Sequence, residues 1–161
     1  MKKRISITSI ILLGTFVIFL GFIYLSNPIV LNGSSSTYED INGEKDIIIH
    51  FYNEGIGRVL LKEVLINNQV DNTKVELGIS YDTSQLVQSG TDNKLIMFGE
   101  LDKEYVNSRI PSEEILSIIN KKEMTPIHYG IRIKDYEKPI ESITIKYKYL
   151  GFPVSKELTF N

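Results

Sequence analysis

Residues 5–25 of this chain form an unbroken apolar run, ISITSIILLGTFVIFLGFIYL, that contains no charged residue. As an α-helix this run would be roughly 30 Å long, which is the thickness of the hydrocarbon core of a bilayer. Its serine and threonine hydroxyls can hydrogen-bond back to helix carbonyls. Tyr24 falls near the outer end, where amphipathic aromatic rings are enriched. The run therefore predicts a single transmembrane helix.

The charges that flank this run predict its orientation. All charged residues before it are basic (Lys2, Lys3 and Arg4), so the positive-inside rule leaves residues 1–4 in the cytoplasm and places the rest outside it. The alternative is a cleaved signal peptide, whose apolar region usually has 7–15 residues and ends in a small-residue cleavage pattern. The run is longer than that, and residues 24–28 lack the pattern. We predict an uncleaved signal anchor and a single-pass protein of the cell membrane.

Composition excludes several classes of function. The chain has no cysteine, which excludes disulfides, thiolate metal sites and a cysteine nucleophile. All 20 acidic residues follow the apolar run, so the exposed part is mildly acidic and lacks the basic surface that nucleic acids require. The absence of alanine, with abundant isoleucine, asparagine and lysine, indicates an AT-rich bacterial genome.

The remainder divides into a linker over residues 26–45 and one domain over residues 46–161. Within the linker, residues 32–37 (NGSSST) are small and polar, which is typical of a flexible tether. The domain has the size of a single compact unit. We predict that this extracytoplasmic domain lies close to the bilayer, because the tether is short.

Alternating apolar and polar residues predict β-structure in the domain. The alternation is clear in residues 74–81, 127–134 and 142–149; residues 46–52, 58–66, 94–98 and 154–160 are less regular, and the second of these is a candidate for a β-bulge. Residues 150–153 (LGFP) suit a hairpin connection between the last two strands. Pro111, followed by Glu113 and Glu114, predicts one short helix to about Lys122, with an apolar stripe of Ile115, Leu116, Ile118 and Ile119. The fold class predicted is all-β: an immunoglobulin-like antiparallel sandwich of about seven strands with one short helix.

A local resemblance agrees with this fold. Residues 51–57 (FYNEGIG), followed by the apolar stretch RVLLKEVLI, are similar to a strand–turn–strand of bacterial extracytoplasmic immunoglobulin-like domains, a group of uncharacterised function that often follows a signal anchor. Many of those domains have proline where this chain has Arg58. The resemblance implies a fold and a location, and it carries no functional residues.

The sequence contains no strong chemical motif. Gly55-Ile56-Gly57 lacks the third glycine and the helix of a dinucleotide site, and is read as a hairpin turn. His50 and His128 are interpreted as a core-edge and a surface residue, without a shared metal site. The acidic stretch over residues 39–46 could bind calcium through its oxygens, although the EF-hand spacing is absent. We predict no catalytic residue, no cofactor and no resident metal.

These observations predict a non-enzymatic binding or scaffolding module of the bacterial cell envelope. Its partner would be another envelope protein, with no nucleic acid and no small-molecule substrate. Tyr136 and Phe152 fall in turn-like segments, where exposed rings would form a protein-binding surface. The alternative is a calcium-dependent or enzymatic extracytoplasmic domain.

Overall fold

A computed structural model describes residues 7–39, 43, 45–70, 74–136 and 138–160. In these residues the chain forms two helices and nine strands. They are α1 (Ile7–Leu25), β1 (Ile29–Glu39), β2 (Lys45–Asn53), β3 (Val59–Ile66), β4 (Gln69–Val70), β5 (Val75–Tyr81), β6 (Ile96–Gly99), α2 (Ser112–Lys121), β7 (Pro126–Ile133), β8 (Ser142–Tyr149) and β9 (Phe152–Thr159).

The strands form two antiparallel sheets. The 5-stranded sheet has the order β1-β2-β7-β5-β6 and the 4-stranded sheet has the order β4-β3-β8-β9. One apolar core joins them, because it contains Phe51 and Ile131 from the first sheet and Leu61, Ile145 and Tyr147 from the second. The prediction of an all-β sandwich with one short helix in the domain is therefore confirmed.

The alternation in the sequence reports which side of each strand faces this core. In β8 the residues from Ile143 to Tyr149 are buried at every second position, and Lys146 and Lys148 between them are exposed. The bulge predicted in β3 is present as a register shift between Leu61 and Glu63. Strands β5, β7 and β8 lie within a residue of their predicted bounds, since half-buried strands show their period most clearly.

The predicted linker is wrong for most of its length. Residues 29–39 form β1, which pairs with β2 from Ile29–Asn53 to Glu39–Lys45 and has an irregularity between Leu31 and Ser35. The small polar residues suggested a tether, but an edge strand is held by backbone hydrogen bonds to its neighbour and needs no apolar alternation. β1 and its buried first residue, Ile29, therefore belong to the domain.

Two turns at one end of the sandwich differ from their predictions. The turn over residues 54–58 connects β2 in one sheet to β3 in the other, so it is a crossover between sheets and no hairpin. The hairpin between β8 and β9 needs only Leu150 and Gly151, whose φ angles of 50° and 88° fit a type I′ turn. Phe152 and Pro153 belong to β9, where the edge position tolerates proline.

Helix α1 leads into the domain at this same end, which we call the helix end; the opposite end is the far end. Residues 9–19 of α1 are exposed, and Ile23 is fully buried in the domain core. Thr15 donates a hydrogen bond to the carbonyl of Ile11 at 2.9 Å, as expected for a hydroxyl within an apolar helix. Among the residues that the structure describes, no helix meets the length and apolarity of a membrane span. The transmembrane anchor stays a prediction, and its basic tail at residues 1–4 lies outside the described residues.

Candidate functional site

A long loop covers the outer face of the 5-stranded sheet. Residues 82–95 connect β5 to β6, and within this covering loop Val87 is fully buried against Ile48. Two glycines, Gly78 in β5 and its partner Gly130 in β7, make room for Val87. A Cβ atom at Gly78 would lie 2.4 Å from Val87 Cγ1, and one at Gly130 would lie 3.2 Å from Val87 Cβ. The paired glycines therefore form the depression that receives the loop.

Polar contacts fasten the covering loop along its length. Ser80 Oγ donates to the carbonyl of Gln85 at 2.6 Å, and Ser89 Oγ donates to Asp46 Oδ2 at 2.7 Å. His50 Nε2 lies 2.7 Å from the carbonyl oxygen of Val87. A carbonyl can only accept, so Nε2 of this buried imidazole carries the proton and donates it.

The two histidines lie on the same face of this sheet. His50 in β2 pairs with Gly130 in β7, and His128 is two residues from Gly130 along β7. Side chains two residues apart on a strand share a face, so the rings are diagonal neighbours. Burial lowers the pKa of His128 below its ordinary value, and the nearby His50 lowers it further, against a backbone hydrogen bond at Ser84 that raises it. His128 is predicted as a surface residue; it does lie on the outer face of the sheet, but its ring is half-buried beside His50.

These histidines line a cleft of about 150 Å³ between the sheet, the covering loop and the segment that enters α2. The other side chains that decide its character are Tyr52, Leu86, Arg109, Ser112 and Ile115. The guanidinium of Arg109 stacks 4.3 Å from the centre of the Tyr52 ring and lies 3.8 Å from the Glu54 carboxylate. The cleft thus combines two imidazoles and one compensated cation with an apolar rim.

The described residues do not assemble a metal centre. A zinc site uses three or four protein ligands, and no group of three or more His, Cys, Asp or Glu that could hold an ion occurs in the described part of the chain. Of the candidate calcium stretch, residues 40–42 and 44 lie outside the described residues. Glu39 pairs with Lys45 at 3.4 Å, and Asp46 is engaged by Ser89 and by Arg132 at 3.8 Å.

Helix α2 lies beside the cleft, and the domain covers its apolar stripe only in part. None of its residues is buried, and Leu116 is 72% exposed. The helix is nevertheless held at both ends. Before it, the backbone N–H of Arg109 donates to Asn53 at 2.7 Å; after it, the buried Asp82 carboxylate accepts from the backbone N–H groups of Met124 and Thr125 at 2.6 and 2.8 Å.

The predicted stripe of α2 is therefore real but does not enter the core. Its residues Ile115, Ile118 and Ile119 are half-buried, and Leu116 faces solvent. Sequence reasoning identified the helix and did not identify its surface, because an apolar stripe normally packs against the protein's own core.

The structure does not bring Tyr136 and Phe152 together. Tyr136 lies at the far end, where its hydroxyl accepts a hydrogen bond from Asn67 Nδ2 at 3.1 Å. Phe152 lies at the helix end, paired with Tyr149. Both rings are partly buried and pack against the core. The two residues lie at opposite ends of β8 and cannot form one exposed patch.

Comparison with known proteins does not identify a family for this chain. The sequence matches no protein-family model, and no curated protein matches it significantly. The resemblance of residues 51–57 to immunoglobulin-like domains stays a prediction.

Proposed function

We propose that this protein is a membrane-anchored extracytoplasmic binding module of the bacterial envelope, which uses α2 and the adjoining histidine cleft to hold a membrane-protein partner. The proposal assigns it no covalent chemistry. The observation that carries it is the apolar stripe of α2, which is fastened at both ends yet only partly covered by the domain, with Leu116 72% exposed.

The anchor is supported by the surface of α1. Its exposed apolar side chains form a continuous surface over residues 9–19, with Ile18 75% and Leu12 66% exposed. Soluble domains rarely leave an apolar patch of this extent in water. The basic residues 2–4 precede the helix, which favours a cytoplasmic N-terminus and an external domain.

The position of α2 supports a partner at the membrane. Only residues 26–28 separate α1 from β1, so the helix end of the sandwich stays next to the bilayer. Both attachments of α2, at Asn53 and at Asp82, lie at this end. An amphipathic helix commonly docks its apolar face into a groove of a partner. The partner that fits this surface is a membrane protein with an apolar groove close to the lipid headgroups.

Fractionation of the full-length chain tests the anchor. We expect the protein to stay with membranes after washes in high salt and alkaline carbonate, and to enter solution only with detergent. Protease added outside the cells should then remove the domain. Recovery of the intact chain in the soluble fraction would contradict the proposal.

Site-specific photo-crosslinking in cells tests the binding surface. A photoreactive amino acid at Ser117, which is exposed beside Leu116, should give one discrete adduct, and a second substitution, Leu116→Asp, should abolish it. The matched control is the same photoreactive residue at Glu157, exposed on β9, which should give no adduct. Equal labelling from Ser117 and Glu157, or none from Ser117, would show that α2 binds no partner.

A further inference from the structure

The helix end of the sandwich carries a second exposed apolar feature, the turn over residues 54–58. Within it Ile56 is 82% exposed, more than any other large apolar residue in the described part of the chain. Leu150, at the tip of the β8–β9 hairpin, is 37% exposed. A Cβ atom at Gly57 would lie 2.7 Å from Leu150 Cδ2, so the turn and the hairpin tip are in contact. We call Ile56 and Leu150 together the apolar tip.

The turn is held rigidly without any contribution from the Ile56 side chain. The fully buried Asn53 donates from Nδ2 to the carbonyls of Gly57 and Val106 at 2.8 and 3.0 Å, and its Oδ1 accepts from the N–H of Gly55 at 2.8 Å. Turn positions that face water are usually polar. An isoleucine that the fold does not need, presented on a fixed turn, indicates a contact outside the domain.

The apolar tip lies next to the point where α1 enters the domain. The N–H of Glu54 donates to the carbonyl of Pro28 at 2.8 Å, and a Cβ atom at Gly55 would lie 2.8 Å from Pro28 Cβ. Residues 26–28 can span at most about 10 Å. The polar headgroup layer on one side of a bilayer is about 5–8 Å thick. A helix that ends at the membrane surface therefore places this turn at the level of the headgroups.

Cations on aromatic rings flank the apolar tip. The guanidinium of Arg58 lies 3.9 Å above the Tyr105 ring, and that of Arg109 lies 4.3 Å above the Tyr52 ring. Arginine and tyrosine combine an apolar body with a polar head, which suits the boundary between acyl chains and headgroups. The Arg109 side chain is 51% exposed, and its charge is shared with the Glu54 carboxylate 3.8 Å away.

We infer that the apolar tip, Ile56 with Leu150, inserts into the headgroup layer of the bilayer that holds α1 and so fixes the orientation of the domain on the membrane. This inference rests on the proposed anchor. It identifies the occupant as lipid, because the connection to α1 keeps the tip at the membrane surface whether or not a protein partner is present.

Depth measurements on the full-length chain in vesicles of phosphatidylcholine and phosphatidylglycerol test this inference. The chain has no cysteine, so a single introduced cysteine can carry an environment-sensitive fluorophore without ambiguity. We would label Ile56→Cys, with Ile18→Cys in α1 and Lys138→Cys at the far end as references. We expect Ile56→Cys to be quenched by nitroxide lipids labelled at the headgroup, Ile18→Cys by lipids labelled deep in the acyl chain, and Lys138→Cys by neither.

The outcomes separate the two proposals. Quenching at Ile18→Cys with a fully aqueous signal at Ile56→Cys would overturn the inference and leave the anchor intact. No quenching at Ile18→Cys would overturn the anchor itself. Shielding of Ile56→Cys that grows with protein density and is insensitive to nitroxide lipids would assign the tip to contact with a second copy, against the inference.

A second variant checks that the isoleucine is responsible. With the fluorophore at Leu150→Cys, the added substitution Ile56→Asp should remove most of the headgroup quenching, since a carboxylate is repelled from the anionic surface. Glu157→Asp, a conservative change on exposed β9, should leave the quenching unchanged. Unchanged quenching in the Ile56→Asp variant would contradict insertion of the tip.

Discussion

The phenolic hydroxyl of Tyr149 accepts a hydrogen bond of 3.2 Å from the backbone N–H of Ile56. This contact joins the end of β8 to the turn between the two sheets. The Tyr149 ring also fills the space in front of the turn, because a Cβ atom at Gly55 would lie 2.8 Å from its hydroxyl. The most exposed large apolar residue among the described residues is thus positioned by one of the most buried side chains of the domain.

The neighbouring tyrosine on the same strand makes no such contact, which gives a matched pair of variants. Tyr147 is 1% exposed, its hydroxyl has no hydrogen-bond partner among the described residues, and burial raises its pKa to about 12. We expect Tyr147→Phe to be neutral or to stabilise the fold by up to about 1 kcal/mol, and Tyr149→Phe to cost about 1 kcal/mol, since a hydrogen bond is lost only in the second. Urea unfolding in mild detergent measures both. A larger loss in Tyr147→Phe than in Tyr149→Phe would contradict this assignment.

Two glycine substitutions test whether the depression at Gly78 and Gly130 is needed to hold the covering loop. A Cβ atom at Gly130 would lie 2.8 Å from Ile48 Cγ2, whereas one at Gly99 would meet nothing within 4 Å. We expect Gly130→Ala to destabilise the protein by about 1–3 kcal/mol through overpacking. Gly99→Ala should change stability by less than about 0.5 kcal/mol.

Limited proteolysis distinguishes the two glycine variants further. Gly130→Ala should expose the covering loop to cleavage within residues 82–95, because the methyl group displaces Val87. Gly99→Ala should keep the wild-type cleavage pattern. Equal stability and equal cleavage in the two variants would show that the loop does not depend on the glycine depression.

His128 predicts a loss of stability in mild acid. The pKa of His128 is lowered by burial, so the unfolded chain binds a proton at this site more readily than the folded one. The contribution is therefore fully present above pH about 6.5, the unfolded value, and is lost as the pH falls through the lower folded pKa. The melting temperature should decrease as the pH is lowered from 7.5 to 5. His128→Gln should flatten that part of the profile, and an equally steep profile in this variant would locate the effect elsewhere.

An ion-pair group at the far end of the same sheet predicts a second transition at lower pH. Glu76 lies between Arg132 and Lys134, and Lys134 Nζ is 2.6 Å from Glu76 Oε1. Burial alone raises the pKa of Glu76, but the hydrogen bonds from Lys134 and Arg132 outweigh it and keep the pKa below its ordinary value. The stabilisation is present above the unfolded pKa of about 4.3 and is lost as the pH falls through the folded value.

Replacement of this carboxylate should show the same interaction at neutral pH. We expect Glu76→Gln to cost about 1–2 kcal/mol, between the values for exposed and buried pairs, because its side chain is 25% exposed. Glu63→Gln, on the other sheet, serves as a comparison. Glu63 pairs with the half-exposed Lys146, so this substitution should reduce the stability less than Glu76→Gln does. Denaturant midpoints at pH 7 and pH 3.5 measure both. A Glu76→Gln loss that persists undiminished at pH 3.5 would show that the charge is not responsible.

The local pattern of the sequence determined the β class, most strand positions, the bulge in β3 and the short helix. These follow from contacts within a few residues, because a strand with one buried face repeats every second residue and a helix start is set by its first turn. The apolar run and its flanking cations likewise needed nothing beyond the sequence to predict an anchor, which the proposed fractionation tests.

Tertiary structure alone decided which of these elements meet. The strand at residues 29–39 was missed because it is an edge strand that is held by backbone hydrogen bonds to β2. Such pairing does not require a pattern of apolar residues that the sequence would show. The alternation predicted that the outer face of the 5-stranded sheet is exposed to water. The covering loop instead lies over this face, with Val87 packed against Gly78 and Gly130. His50 and His128 became neighbours through the register of β2 and β7. Each of these depends on contacts between residues far apart in the chain, which no local period of apolar residues can encode.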